Sequence, residues 1–177
     1  YLSISYILLT IYFTIIYKEE LINNLKKLNK KNILTTLLYF IIGFLLMVLF
    51  NYIINYIIIP NGISNNEQGN RELLLNNKLL YGILLTLIIP YIEEIVFRLS
   101  LKKSIKNNTT FILVSSTIFG LLHIVSTTKL IELLYFIPYF ILGLTFSTIY
   151  TKTNNIYCST ISHILNNTIT VLIILLF

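Results

Sequence analysis

Six apolar stretches take up most of this 177-residue chain. They cover about residues 2–17, 33–59, 79–99, 110–127, 130–150 and 156–177. Each is at or near the roughly 20 residues a helix needs to cross a bilayer. In hydrocarbon a spanning segment must satisfy its own backbone N–H and C=O groups, so runs of this length can only be helices. The expected fold is therefore all-α, a polytopic transmembrane helical bundle of about six spans. Composition closes the alternatives. Hydrophobic residues make up 56% of the chain, with 34 Ile and 34 Leu, and charged residues only 11%. A soluble domain carries about 25% charged residues, and a body this small has too little interior to hide so much Ile and Leu. A soluble globule, a disordered chain and a nucleic-acid-binding domain are excluded. With Cys158 the only cysteine, no disulfide can form within the chain.

The polar linkers set the orientation. Lys18, Lys26, Lys27, Lys30, Lys31, Arg98, Lys102, Lys103, Lys106 and Lys152 fall on alternate linkers, and only Arg71, Lys78 and Lys129 fall on the others. Ten cations against three predicts that the first set faces the cytoplasm. The net charge of +6 then reflects topology and contact with anionic lipid heads. Residues 61–77, rich in Asn and Gly, are expected to form a solvated outer loop with a short interfacial helix over residues 71–75.

All seven acidic residues are Glu. Glu19, Glu20, Glu67 and Glu72 lie in linkers, and Glu132 follows Lys129 at the spacing of a helical ion pair. Glu93 and Glu94 stand inside the third span, in IIPYIEEIVFR. A charged carboxylate there costs about 2.5–3.5 kcal/mol even on the lenient insertion scale, which makes it a functional candidate by default. Helix geometry separates the two. Glu94 and Arg98 are four residues apart and share a face, so they can pair. Glu93 points about 100° away and has no partner on its own helix. Pro90 should kink the helix just ahead of both acids.

Both histidines also lie in spans. His123 follows Phe119 by four residues, and Gly120 would let another helix approach closely. His163 precedes Asn167 by four. A carboxylate, two imidazoles and an amide on three separate spans could converge in a bundle core as a hydrolytic set. A structural charge cluster remains open beside that reading.

In order along the chain, Glu93-Glu94-x-x-x-Arg98, Phe119-x-x-x-His123 and His163-x-x-x-Asn167 resemble the motifs of the intramembrane glutamic endopeptidases of the CAAX-protease and bacteriocin-processing (Abi) family, which includes the Ras-converting CAAX endopeptidase. The resemblance implies a domain in which residues 1–78 supply N-terminal membrane spans and a loop, and residues 79–177 the catalytic helical core. It implies that Glu93 is the catalytic glutamate and that His123 helps hold and activate water. His163 and Asn167 would stabilise the oxyanion, with Glu94, Arg98 and Phe119 in support. It implies no cofactor or metal, and a membrane-associated protein or peptide as substrate, possible settings being bacteriocin immunity or maturation. The site is expected toward the cytoplasmic leaflet. Asn, Lys, Ile, Tyr and Phe share AT-rich codons and Ala is absent, so the expected setting is the plasma membrane of an AT-rich bacterium. The chain begins at Tyr1, so it is expected to be trimmed there.

Other chemistries fit less well. There is no Asp for an aspartyl site and no HExxH for a metalloprotease, and the one GxS, Gly62-Ile63-Ser64, lies in the outer loop. A zinc site built from Glu93, His123 and His163 stays open. So do a non-catalytic immunity or scaffold protein and a proton-coupled transporter.

One tension remains at this stage. Counted from the basic ends of their spans, Glu93 and His163 would lie about 12–14 Å deep and His123 about 21 Å. The fourth span should therefore be offset or tilted.

Overall fold

A computed structural model describes residues 2–176, which form helices and short connections with no strand among them. The helices are α1 (Leu2–Ile16), α2 (Lys18–Lys26), α3 (Lys30–Ile58), α4 (Asn65–Asn76), α5 (Lys78–Ser104), α6 (Asn108–His123), α7 (Leu130–Thr153) and α8 (Ile156–Leu176). α3, α5, α7 and α8 are long and apolar enough to cross a membrane, and α1 and α6 are shorter apolar helices. The chain is an integral membrane bundle whose six apolar helices match the six stretches.

α7 is the central element. Its buried face carries Leu142, Gly143, Thr145, Phe146, Ser147, Ile149 and Tyr150, and it packs against α3, α6 and α8. Small residues make the close crossings possible. A Cβ on Gly43 of α3 would collide with the Thr145 side chain, and one on Gly143 would meet the Ser116 backbone of α6 at 2.8 Å. Gly120 of α6 lies against Phe136 at 2.8 Å in the same sense, which is the close approach expected of it.

The ends of the spans follow from local chemistry. Asn29, Asn77 and Asn107 accept hydrogen bonds from the backbone N–H three residues on and start α3, α5 and α6. Asn154, with φ 47°, ends α7 in the left-handed conformation that Asn tolerates. At the basic end the surface helix α2 is tied to the α7–α8 turn. Asn155 Nδ2 donates to the Asn24 carbonyl at 2.6 Å, and the Ile156 N–H donates to Asn24 Oδ1 at 2.9 Å.

α5 is the least regular span. Wide five-residue turns occupy Leu84–Ile88 and Ile95–Ser100, on either side of the α-helical Ile89–Glu94. Pro90 explains the first. Its ring cannot follow a regular α turn without clashing with the preceding turn's carbonyl, and it has no N–H. The Ile89 N–H reaches back five residues to the Leu84 carbonyl. In the same register the Leu85 carbonyl would face Pro90, which has nothing to donate. Such widened turns recur at functional sites.

The outer connection is more ordered than its composition suggests. α4 runs for 12 residues, not over 71–75 alone. Ser64 Oγ accepts from the Glu67 N–H at 3.2 Å, the first half of a capping box whose Ser-x-x-Glu spacing is present in the sequence. α6 ends at His123 instead of running to Thr127, because residues 124–129 turn sharply, with the Thr127 N–H on the Ile124 carbonyl at 2.9 Å. Glu132 pairs with Lys129 at 3.3 Å as its spacing indicated.

Candidate active site

The two adjacent glutamates have opposite environments. The Glu94 and Arg98 side chains are wholly buried, with Oε2 and Nε 3.4 Å apart. The Arg98 guanidinium also donates to the Gly143 carbonyl of α7 at 3.4 Å. Phenylalanine rings surround it, those of Phe119 at 4.9 Å, Phe146 at 5.5 Å and Phe97 at 5.9 Å from its central carbon. The aromatic faces favour the cation where water cannot. The Glu93 side chain keeps 25% of its surface exposed and lines a cavity of about 250 Å³.

His163 of α8 joins the pair. Its Nδ1 lies 3.0 Å from Glu94 Oε1 and its Nε2 lies 3.6 Å from Glu93 Oε2. A carboxylate can only accept, so Nδ1 carries the proton and the ring presents Nε2 toward Glu93. The ring stacks on Phe146 at 4.5 Å, which holds its orientation. Glu94 thus does two jobs: it neutralises Arg98 and sets the tautomer of His163.

His123 is the last residue of α6. Its Nδ1 lies 2.7 Å from the Phe119 carbonyl one turn earlier, an oxygen that can only accept. Nδ1 therefore donates and Nε2 keeps its lone pair. The ring stacks on Tyr139 at 4.6 Å and packs on Phe119 at 4.3 Å. Phe119 is thereby packed against His123, Arg98 and, at 5.5 Å, His163.

Asn167 has a structural bond as well as a place on the cavity wall. Its Nδ2 donates to the Leu85 carbonyl at 2.9 Å, the acceptor that Pro90 leaves without a partner. One of its two amide hydrogens is committed there and the other is not. Asn166 Nδ2 donates to Asn167 Oδ1 at 3.2 Å.

The structure therefore brings Glu93, His123, His163 and Asn167 to one cavity. Glu94 and Arg98 lie buried beside it, and Phe119 forms part of its wall. The depth difference narrows only to about 6 Å, so His123 stays further from the basic end than Glu93. Ser115 Oγ donates to the Phe97 carbonyl at 2.8 Å, which sets α6 level with α5 at that point. Glu93 is four residues beyond Phe97 and His123 eight beyond Ser115, a difference of about 6 Å along the helix axes.

Several lining residues were not singled out from the sequence: Asn51, Asn66, Glu67, Tyr139 and Asn166. Tyr139 Oη bonds Ser64 Oγ at 2.8 Å and accepts from Asn66 Nδ2 at 3.2 Å, so α4 is fastened over the site. Asn51 and Asn166 had a signal, since each is an amide in an apolar span. Asn66 and Glu67 had none, because a polar residue in a polar segment is unremarkable. Among the described residues, no three His, Cys, Asp or Glu side chains are grouped so as to hold a metal ion. The Glu93, His123 and His163 set does not fit a zinc centre.

Glu93 is 11 residues from Ser104 and 15 from Lys78, so it lies near the middle of α5. The cavity runs from there toward α4, away from the basic end.

Residues 75–169, more than half of the chain, match the family model described as Type II CAAX prenyl endopeptidase Rce1-like. The chain belongs to this Rce1-like family. The matched stretch holds all three motifs, from Glu93 through Asn167, and the family is one of proteases. No curated protein and no solved structure matches the chain. An Rce1-like protease and an all-helical membrane bundle agree, since hydrolysis inside a bilayer needs a walled cavity with polar groups and the helices build one here.

Proposed function

We propose that the chain is an intramembrane endopeptidase that hydrolyses membrane-associated proteins or peptides with glutamate-activated water and without a metal. The observation that carries this reading is the division between the two glutamates. Glu94 is neutralised and buried, whereas Glu93 keeps its carboxylate at the cavity wall with an imidazole Nε2 3.6 Å away.

The steps follow from the donor and acceptor inventory. Glu93 takes a proton from a water that also donates to Nε2 of His123. The water oxygen adds to the scissile carbonyl carbon, and the C=O electron pair moves onto oxygen. The uncommitted N–H of Asn167 stabilises that oxyanion, an effect worth about 2.7–4 kcal/mol per donor in comparable sites, and His163 adds a second donor when it is the imidazolium, with Nε2 protonated as well as Nδ1. Collapse re-forms C=O and breaks the C–N bond, and the proton on Glu93 passes to the leaving amine. The family description points to prenylated CAAX ends as substrate. The motif resemblance points equally to bacteriocin maturation or self-immunity.

The test compares wild type with Glu93→Gln, both reconstituted in liposomes with membrane-anchored peptides, products being read by mass spectrometry. Cleavage by wild type that persists in chelator and is lost in Glu93→Gln is expected. Equal cleavage by both would refute the assignment. Bacteriocin protection that survives Glu93→Gln at equal expression would favour a non-catalytic immunity protein.

A further inference from the structure

His123 closes α6, and the chain turns sharply after it. No further turn of α6 lies beside its ring, so other contacts must hold it. One nitrogen is fixed, with Nδ1 on the Phe119 carbonyl at 2.7 Å. A ring tied at one atom can still swing about it, and the chemistry needs the far nitrogen, Nε2, in one place. Two aromatic rings stop the swing. The Phe119 ring lies 4.3 Å from the imidazole, inclined by 36°, and the Tyr139 ring 4.6 Å, inclined by 29°. Rings so close and so nearly parallel to the imidazole cannot share one of its faces, so it is held between them.

The two rings are themselves secured differently. Phe119 is buried and meets Phe97 at 5.8 Å and Phe146 at 6.1 Å, edge to face. Tyr139 stands on the cavity wall and is secured by its hydroxyl. Its Oη bonds Ser64 Oγ at 2.8 Å and accepts from Asn66 Nδ2 at 3.2 Å. Asn65, between those two, donates from Nδ2 to the Ser126 carbonyl at 2.9 Å, three residues past His123. Three consecutive side chains at the start of α4 thus fasten both the ring stacked on His123 and the turn that follows it. Ser64 Oγ also caps α4, so the cap and the hold on Tyr139 share one hydroxyl. Packing beside Ile54, Ile124 and Tyr135 would ask only for an apolar side chain at position 139.

We infer that Tyr139 is a positioning residue for the reaction. Its ring holds the His123 imidazole with Nε2 toward the water that Glu93 activates, and its hydroxyl ties that hold to the first turn of α4. Tyr139 acts through His123 and touches no reacting atom. Its effect on rate rests on the peptidase reading above, while its hold on the imidazole does not.

The test uses the full chain in liposomes with the same membrane-anchored peptides. Tyr139→Leu removes the stack and should lower kcat about ten- to a hundredfold, the upper figure being that for a catalytic group misplaced by about 1 Å. KM should stay within about twofold of wild type. Tyr139→Phe keeps the ring and loses only the hydroxyl's bonds, so kcat should fall only about threefold. In a His123→Ala background, Tyr139→Leu should change the remaining rate by less than about twofold, because two changes that act through one group do not add. A kcat for Tyr139→Leu equal to wild type, its full effect in the His123→Ala background, or a Tyr139→Phe as slow as Tyr139→Leu overturns the inference.

Histidine nitrogen NMR at alkaline pH, where imidazole is neutral, reads the same hold without any cleavage. His123 and His163 are the only histidines, so the His123→Ala spectrum assigns the signals. Wild type and Tyr139→Phe should show His123 as one tautomer, protonated at Nδ1, and Tyr139→Leu should show both tautomers in exchange. A mixture in wild type, or a single tautomer retained in Tyr139→Leu, overturns the inference. If Tyr139→Leu does not accumulate, Tyr139→Met takes its place, since a flexible thioether fills the space without a flat face. A wild type that cleaves nothing sinks the peptidase reading alone, and the tautomers still decide whether Tyr139 holds His123.

Discussion

The two ends of this bundle are built from the same helices and differ in what fills them. At the basic end, Tyr17 between α1 and α2, Leu21 of α2, Ile95 of α5, Phe111 of α6, Tyr150 of α7 and Ile156 of α8 form one buried cluster. At the other end, α3, α5, α6, α7 and α8 are as apolar on the outside, yet with α4 they enclose a cavity whose wall includes Asn51, Asn66, Asn167 and Thr170. The difference lies in a few amides, the turn widened by Pro90 and a capped helix, α4, laid across the top. Overall hydrophobicity plays no part in it. Glu94 and Glu93 sit at the boundary, one belonging to each region.

That contrast can be broken most sharply at the boundary itself. Glu93→Gln should lower peptide cleavage by about 10²–10⁴-fold, the range for removing a general base, with no change in thermal unfolding midpoint. A clear fall in the midpoint would move Glu93 into the structural region. Glu94→Leu should do the opposite and destabilise the bundle by about 3–5 kcal/mol, because Arg98 would be left buried and uncompensated. Glu94→Leu combined with Arg98→Leu should recover most of that stability in a denaturant titration, though not activity, since His163 loses the acceptor that sets its tautomer. Asn167→Ala should lower turnover by about 10²–10³-fold. Asn167→Asp, which keeps an acceptor but loses the N–H to Leu85, should not restore it.

Smaller effects test the packing on either side. Gly43→Ala forces a methyl group into Thr145, and overpacking of this kind costs about 1–3 kcal/mol. Adding Thr145→Ala, which removes both the Oγ1 and the Cγ2 that the methyl group meets, should recover part of that cost in the same titration. The smallest effect belongs to the rim of the sealed end, where Glu20 meets Lys103 at 2.5 Å. The Lys103 ammonium hydrogen bond holds the Glu20 carboxyl below the usual carboxylate range. A depressed carboxylate contributes stability above its unfolded pKa of about 4.3, and that contribution disappears as pH falls through the lower folded value. Glu20→Gln should therefore flatten the acid limb of the stability profile, by no more than a few tenths of a kcal/mol for so exposed a pair.

Much of the site was legible because charge is so scarce here. Glu93 and Glu94 stood out against an apolar span, and four-residue spacing alone assigned Glu94 to Arg98. What spacing could not show was His163, which is 69 residues from Glu94 and reaches both carboxylates only because α8 packs along α5. Nor could it show that Asn167 completes the backbone of another helix, since that bond depends on the Pro90 register. α4 was harder still, because Asn66 and Glu67 look like ordinary loop residues until Ser64 and Tyr139 fasten them over the cavity.

By itself, then, the sequence determined the environment and the helices, and gave an expected orientation. Those follow from local properties: the length of apolar runs, the desolvation cost of a charge, and the side on which cations accumulate. The tertiary structure decided which histidine nitrogen faces Glu93 and which end of the bundle is open. Those depend on how helices far apart in the chain are set against one another, and on whether the space between them is filled by side chains or left to polar walls.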